Sequence, residues 1–169
     1  MKRKIPGFKS QTPQAPHPPA ASVPAAASGI QLIEERFGPI VAAVGRIGRG
    51  GEPPERRLEG ALEIIFGAYG LSDQDFSEML LTGWMRARHD KHHRLALAWL
   101  REQLRLSLGE ILQAGVTAGV FRKDLDPGAA AAVMLGAAEG CLLQSATQGG
   151  AVPPGELVRV LMSLALSGA

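Results

Sequence analysis

The chain has 169 residues, 46% of them hydrophobic and 20% charged, which is enough for one domain with a buried core. Its net charge of +2 is uneven: Lys2, Arg3, Lys4 and Lys9 put +4 in residues 1–28, and the remainder therefore sums to −2. That balance excludes a broad phosphate-binding face on the folded part, and the single cysteine, Cys141, excludes a disulfide framework and fits a reducing cytoplasm. No apolar run approaches the ~20 residues of a membrane span. The MKRK start is followed by Pro6, Gly7, Lys9, Ser10 and Gln11 where a secretory signal would need an apolar core.

Residues 1–28 are rich in Pro, Ala and Ser and nearly devoid of large apolar side chains, so a disordered basic tail is expected there. Residues 29–169 form the folded unit. Val and Ile are scattered rather than alternating, and the expected fold is all-α, a six-helix bundle. The first helix spans about Ile30 to Ile47, with Leu32, Ile33, Phe37, Ile40, Val41 and Val44 inward. Pro39 falls inside it, and a kink or break is expected there. Gly45 to Gly51 reads as a loop. No strand precedes it and no Gly-Lys-Ser/Thr follows, so it fails the context of a phosphate-cradling loop.

The second helix starts at Pro53-Pro54 and runs to Tyr69, with Gly70 as its stop. Ser72 caps a third helix that reaches about Arg88. The fourth is the longest, from an N-cap at Asp90 to a stop at Gly119. Leu97, Leu100, Leu104, Leu108, Ile111 and Gly115 line one face, and Leu95, Trp99 and Leu106 widen the apolar stripe. A stripe so wide implies a central helix covered on two sides. Asp126-Pro127 starts a fifth helix, dense in Ala and Gly, that runs to about Thr147. Gln148-Gly149-Gly150 breaks it, and Pro153-Pro154 opens a sixth helix to about Ser167.

No catalytic constellation emerges. His89 and His93 stand four apart, a spacing that can share a metal on one helix face, but no third ligand is marked. No glutamate has a histidine three residues on, which removes the di-iron bundle pattern, and no Gly-x-Ser-x-Gly elbow is present. Cys141 reads as a small buried hydrophobe. The chain is therefore read as a non-enzyme with no cofactor and no metal. Phe66, Tyr69, Met79, Trp84, Met85, Trp99 and Gln103 are the candidates for a small-molecule cavity, since aromatic and methionine side chains around a few polar groups typify one. The same residues could equally fill the core.

The run Gly115-x-x-x-Gly119-Val-Phe-Arg-Lys-Asp-Leu-Asp-Pro, followed by Ala130-Ala131 and Gly140, resembles the C-terminal domain of TetR-like bacterial transcriptional regulators. Physical logic agrees with the motif. Gly119 releases the long helix, Phe121 and Leu125 tuck the connector onto the core, and Asp126-Pro127 starts the next helix. The resemblance implies an α-helical homodimer built on helices five and six, with Met134, Ala138, Cys141, Leu142, Leu157, Leu161 and Leu164 at the interface. The small residues of helix five could also serve packing within one subunit. It further implies an inducer pocket enclosed by helices two to four and part of helix one, for a small molecule the sequence does not name.

Members of that family begin with a helix-turn-helix. Prolines 6, 13, 16, 18, 19 and 24 forbid a recognition helix in residues 1–28. The expected function is thus a small-molecule-sensing, dimerising domain lacking its own DNA reader. It would pair with itself or with a full-length TetR-like relative, and meet DNA only through a helix-turn-helix supplied elsewhere. The alternatives are a DNA-binding repressor that uses the basic tail or has a misassigned N-terminus, and a small helical metal-binding protein or enzyme.

Overall fold

The computed structural model describes residues 29–69, 74–148 and 153–166. The expected disordered tail, the stop at Gly70, the cap at Ser72, the break at Gly149-Gly150 and the end at Ser167 lie outside the described residues. Among the described residues there are six helices: α1 Gly29–Gly48, α2 Pro54–Tyr69, α3 Gln74–Ala87, α4 Lys91–Thr117, α5 Pro127–Gln148 and α6 Pro154–Ala165. The all-α six-helix bundle is as the sequence implies.

α4 is the hub, packing against α1, α2, α3 and α5. Its start is set by Asp90, whose side chain accepts hydrogen bonds from the His92 and His93 amides. That satisfies two of the donors every helix leaves open at its N-terminus. At the other end Gly119 takes φ +73°, the left-handed turn that lets the chain reverse. The Val120 and Phe121 amides then both bond the Gly115 carbonyl, at 3.0 and 3.1 Å. This places the Phe121 ring directly on Gly115, where a Cβ would overlap the ring. Phe121 is fully buried as a result.

The connector does more than turn. The Arg122 amide donates to the Ala165 carbonyl at 3.0 Å, and Phe121 pairs with Leu166 in an isolated antiparallel bridge. The segment between α4 and α5 therefore holds the end of α6, which otherwise packs on α2. At the start of α5, Asp126 Oδ1 accepts from the Ala129 amide at 2.8 Å, the expected cap.

Two local expectations are corrected. Of the expected kink or break at Pro39 there is no break, and α1 continues through Gly45 to Gly48, so half of the expected glycine loop is helical. Glu35 and Pro39 both lie on the exposed side, where water can serve the carbonyl that the proline deprives of a partner. At Gly48, α1 comes close to α4: a Cβ there would lie 3.7 Å from the Ser107 carbonyl and 3.8 Å from Ile111. Arg57 Nη1 donates to the Gly48 carbonyl at 2.7 Å, a cation closing the negative end of α1.

The second correction concerns α4. Leu97, Leu100, Leu104, Leu108, Ile111 and Gly115 are buried as expected, but Leu95, Trp99 and Leu106 are 54%, 60% and 44% exposed. They lie diametrically opposite the core-facing stripe, and among the described residues no element covers them. α4 is central on one side only.

Candidate ligand pocket

Three helices meet at the N-terminal ends of α1 and α4 and enclose a pocket of about 290 Å³. α1 supplies Gly29, Leu32 and Ile33; α3 supplies Glu78, Met79, Thr82, Gly83 and Arg86; α4 supplies His93. Close approach of α1 to α3 shapes it, since a Cβ at Gly83 would sit 3.0 Å from Ile33 Cδ1. The volume is near the small end of the range of about 300–1,000 Å³ typical of ligand sites.

His93 is the unusual member. It is 8% exposed, and its Nδ1 lies 2.8 Å from Asp90 Oδ2. The hydrogen bond to His93, followed by that from the His92 amide, holds the Asp90 carboxyl below the usual carboxylate range. Asp90 is thus an ionised acceptor, which requires the proton on Nδ1 and aims Nε2 the other way. There Nε2 is buried without a hydrogen-bond partner among the described residues. Buried polar atoms are almost always paired, so an orphan at a pocket wall calls for a ligand, a water or an ion. Arg86 reaches the same spot. A Cβ added to Gly29 would lie 2.7 Å from Arg86 Nη1 and 3.1 Å from His93 Nε2.

Of the residues expected to line a cavity, Met79 is in this pocket. Met85, 64% exposed, borders an adjoining hollow with Leu81, Thr82, Arg86, His89 and Asp90. Trp84 and Gln103 are half-buried, and Trp99 is on the open face of α4. Phe66 and Tyr69 belong to the core. Tyr69 forms edge-to-face contacts with Phe37 and Phe76, with all three centroid separations 6.0 Å. The seven are not gathered around one cavity. The grouping of Arg86 and His93 at this pocket, with Asp90 behind the imidazole, was not anticipated. The available signal was the Asp90-x-x-His93 spacing, which reads as a cap; the Arg86 contact links separate helices and leaves no spacing to read. The His89/His93 pair does not form a shared face: His93 turns inward onto Asp90, while His89 is exposed in the preceding turn.

The residues expected at a dimer interface are likewise distributed by burial. Met134, Ala138, Cys141, Leu142 and Leu161 are buried inside this subunit, Leu157 is half-buried and Leu164 is 57% exposed. The outward side of α5 is the opposite one, with Ala129, Ala132, Val133 and Gly136 exposed and no charged side chain among them. The one charged residue of α5, Glu139, is engaged by Arg101 of α4, with Nε to Oε1 at 2.6 Å.

Tyr69 gives a test of this packing. Burial pushes its phenol well above the ordinary value near 10.0; the Glu139 charge adds to the effect and Arg101 opposes it. The folded state therefore keeps a proton that the unfolded chain releases. This contribution to stability is intact below about pH 10 and is lost as pH rises from there through the folded value. Tyr69→Phe is expected to resist alkaline unfolding better than the parent. Absorbance at 295 nm reads this one tyrosine alone, and its rise should coincide with loss of helicity. A phenolate signal well before unfolding would contradict the burial.

A helical bundle whose longest helix ends in a Gly-x-x-x-Gly turn, with a Phe-Arg connector docked on its core, defines the C-terminal half of TetR-like transcription regulators. The chain belongs to that family: residues 54–167, two-thirds of the sequence, match the family described as BetI-type transcriptional repressor, C-terminal. The match spans α2 to α6, and α1 precedes it. Comparison with curated proteins and with solved structures gave no match. The family is one of regulators and not of enzymes, and no described helix is long and apolar enough to cross a membrane.

Proposed function

We propose that this chain is the small-molecule-sensing and dimerising part of a TetR-type transcription regulator, working in the cytoplasm. The observation that carries the sensing role is the buried His93 Nε2, without a partner among the described residues, at the wall of a pocket of mixed polar and apolar lining. Its lining comes from three helices, so an occupant would favour one relative arrangement of α1, α3 and α4 over others. The dimerising role is supported by the uncharged outer side of α5 and by Val160 and Leu164, which are 53% and 57% exposed on α6. Apolar surface of this kind is what an intersubunit helix bundle covers.

The test is sedimentation equilibrium of the parent and of Val133→Asp. Val133 is 65% exposed, so the substitution should leave the fold of the subunit intact. The parent is expected to be a dimer. The variant is expected to be a monomer with an unchanged helical spectrum, because an aspartate would be desolvated in the interface without a partner. A parent that stays monomeric at its highest soluble concentration would sink the dimerising role.

A further inference from the structure

We propose that the pocket under the first turn of α1 takes a small carboxylic acid with an apolar tail, an inference that rests on the sensing role proposed above. Three features converge on one point. The first turn of α1 carries no acidic residue, so no side chain within that turn offsets the positive end of a 20-residue helix. Arg86 Nη1 and His93 Nε2 both close on the position of a Gly29 Cβ, which the glycine leaves vacant. His93 is more than nine-tenths buried and its Nε2 has no partner among the described residues. Arg86 is a fixed cation with several donors, suited to a planar carboxylate.

Behind the imidazole, Nδ1–H is donated to Asp90, which leaves the Nε2 lone pair facing the pocket. The ligand's carboxyl group would therefore bind with one proton shared between its oxygen and Nε2, while its other oxygen accepts from Arg86. That proton comes from the buffer and returns to it when the acid leaves. The charged groups facing His93 are Asp90 from its own cap and Arg86 and Glu78 from α3; α1 contributes no charged side chain to the lining. The remainder of the lining fits the other half of the ligand. Leu32, Ile33 and Met79 offer an apolar wall, and the volume of about 290 Å³ suits a short chain or a single ring.

The experiment is isothermal titration of the full chain at pH 8, where a free imidazole is mostly neutral. The probes are hexanoate, hexanamide, hexylamine and inorganic phosphate, each in two buffers of different ionisation heat. Hexanoate is expected to bind with uptake of up to one proton and hexanamide to bind at least about tenfold more weakly, the scale of a lost charge-assisted hydrogen bond. Arg86→Gln and His93→Gln should each weaken hexanoate by a similar factor. Arg86 is exposed, so its variant keeps the test standing if the histidine variant fails to fold. Equal binding of hexanoate and hexanamide, tighter binding of phosphate, or parent-like affinity in the Arg86 variant would each overturn the proposal. A chain that binds hexylamine but not hexanoate retains the sensing role and overturns the carboxylate class alone.

Discussion

Phe121→Ala is expected to cost about 3–5 kcal/mol, the range for emptying a fully buried aromatic site. Phe121 is 0% exposed and its ring fills the space left by Gly115 on α4. Neither neighbour can collapse readily into the void, because the Phe121 and Val120 amides are tied to the Gly115 carbonyl and the Arg122 amide is tied to Ala165. The same residue carries the backbone pairing with Leu166, so its loss should loosen the end of α6 along with the connector. Urea unfolding measures the cost. Amide hydrogen exchange at Arg122 and Leu166 should show local opening at denaturant concentrations that leave α4 protected. The reciprocal change, Gly115→Ala, puts a methyl where the ring is and should cost about 1–3 kcal/mol by overpacking. A cost of Phe121→Ala below about 1 kcal/mol would mean the ring is not seated on Gly115.

Leu104→Ala is expected to cost about 2–5 kcal/mol, whereas Trp99→Ala, five residues earlier on the same helix, should change subunit stability by no more than about 0.5 kcal/mol. Leu104 is fully buried in the side of α4 that faces the other helices. Trp99 is larger but 60% exposed, on the opposite side. Thermal and urea unfolding of the two variants decide between the one-sided arrangement and a hub covered all round. If Trp99→Ala proves as costly as Leu104→Ala at a concentration where the chain is monomeric, the open face of α4 is covered after all.

The contrast between these two residues shows what periodicity can and cannot convey. The 3.6-residue rhythm of Leu97, Leu100, Leu104 and Leu108 identified the helix and its core-facing side, because local geometry alone decides which side chains share a stripe. Whether a second stripe at Leu95, Trp99 and Leu106 is covered depends on what the rest of the chain brings to it. Helix ends followed the same division. Asp90, Gly119 and Asp126-Pro127 act through their own backbone and side-chain chemistry and were legible. Gly45 and Gly48 read as a loop because glycine favours one, yet both are helical, and at Gly48 the close approach of α4 and the Arg57 bond favour that state.

The pocket was less legible than the fold for a related reason. Its polar side chains come from Glu78, Thr82 and Arg86 of α3 and His93 of α4, and α1 closes it at Gly29, positions joined by packing and not by spacing. Of the cavity candidates, Phe66 and Tyr69 are packed in the core. The residues expected at the dimer interface are sorted by size. On α5 the larger side chains, Met134, Cys141 and Leu142, fill the subunit's own interior, and the smaller ones face outward.

The Arg57 bond to the Gly48 carbonyl gives α1 the mechanics of a lever. One end is fastened to the first turn of α2, while the other, at Gly29, borders the pocket. Twenty residues at 1.5 Å each make an arm of about 30 Å, so a tilt of about 5° around the fastened end displaces the far end by about 2.6 Å. An occupant of the pocket proposed at the tip would therefore act on the angle of the arm at its longest radius.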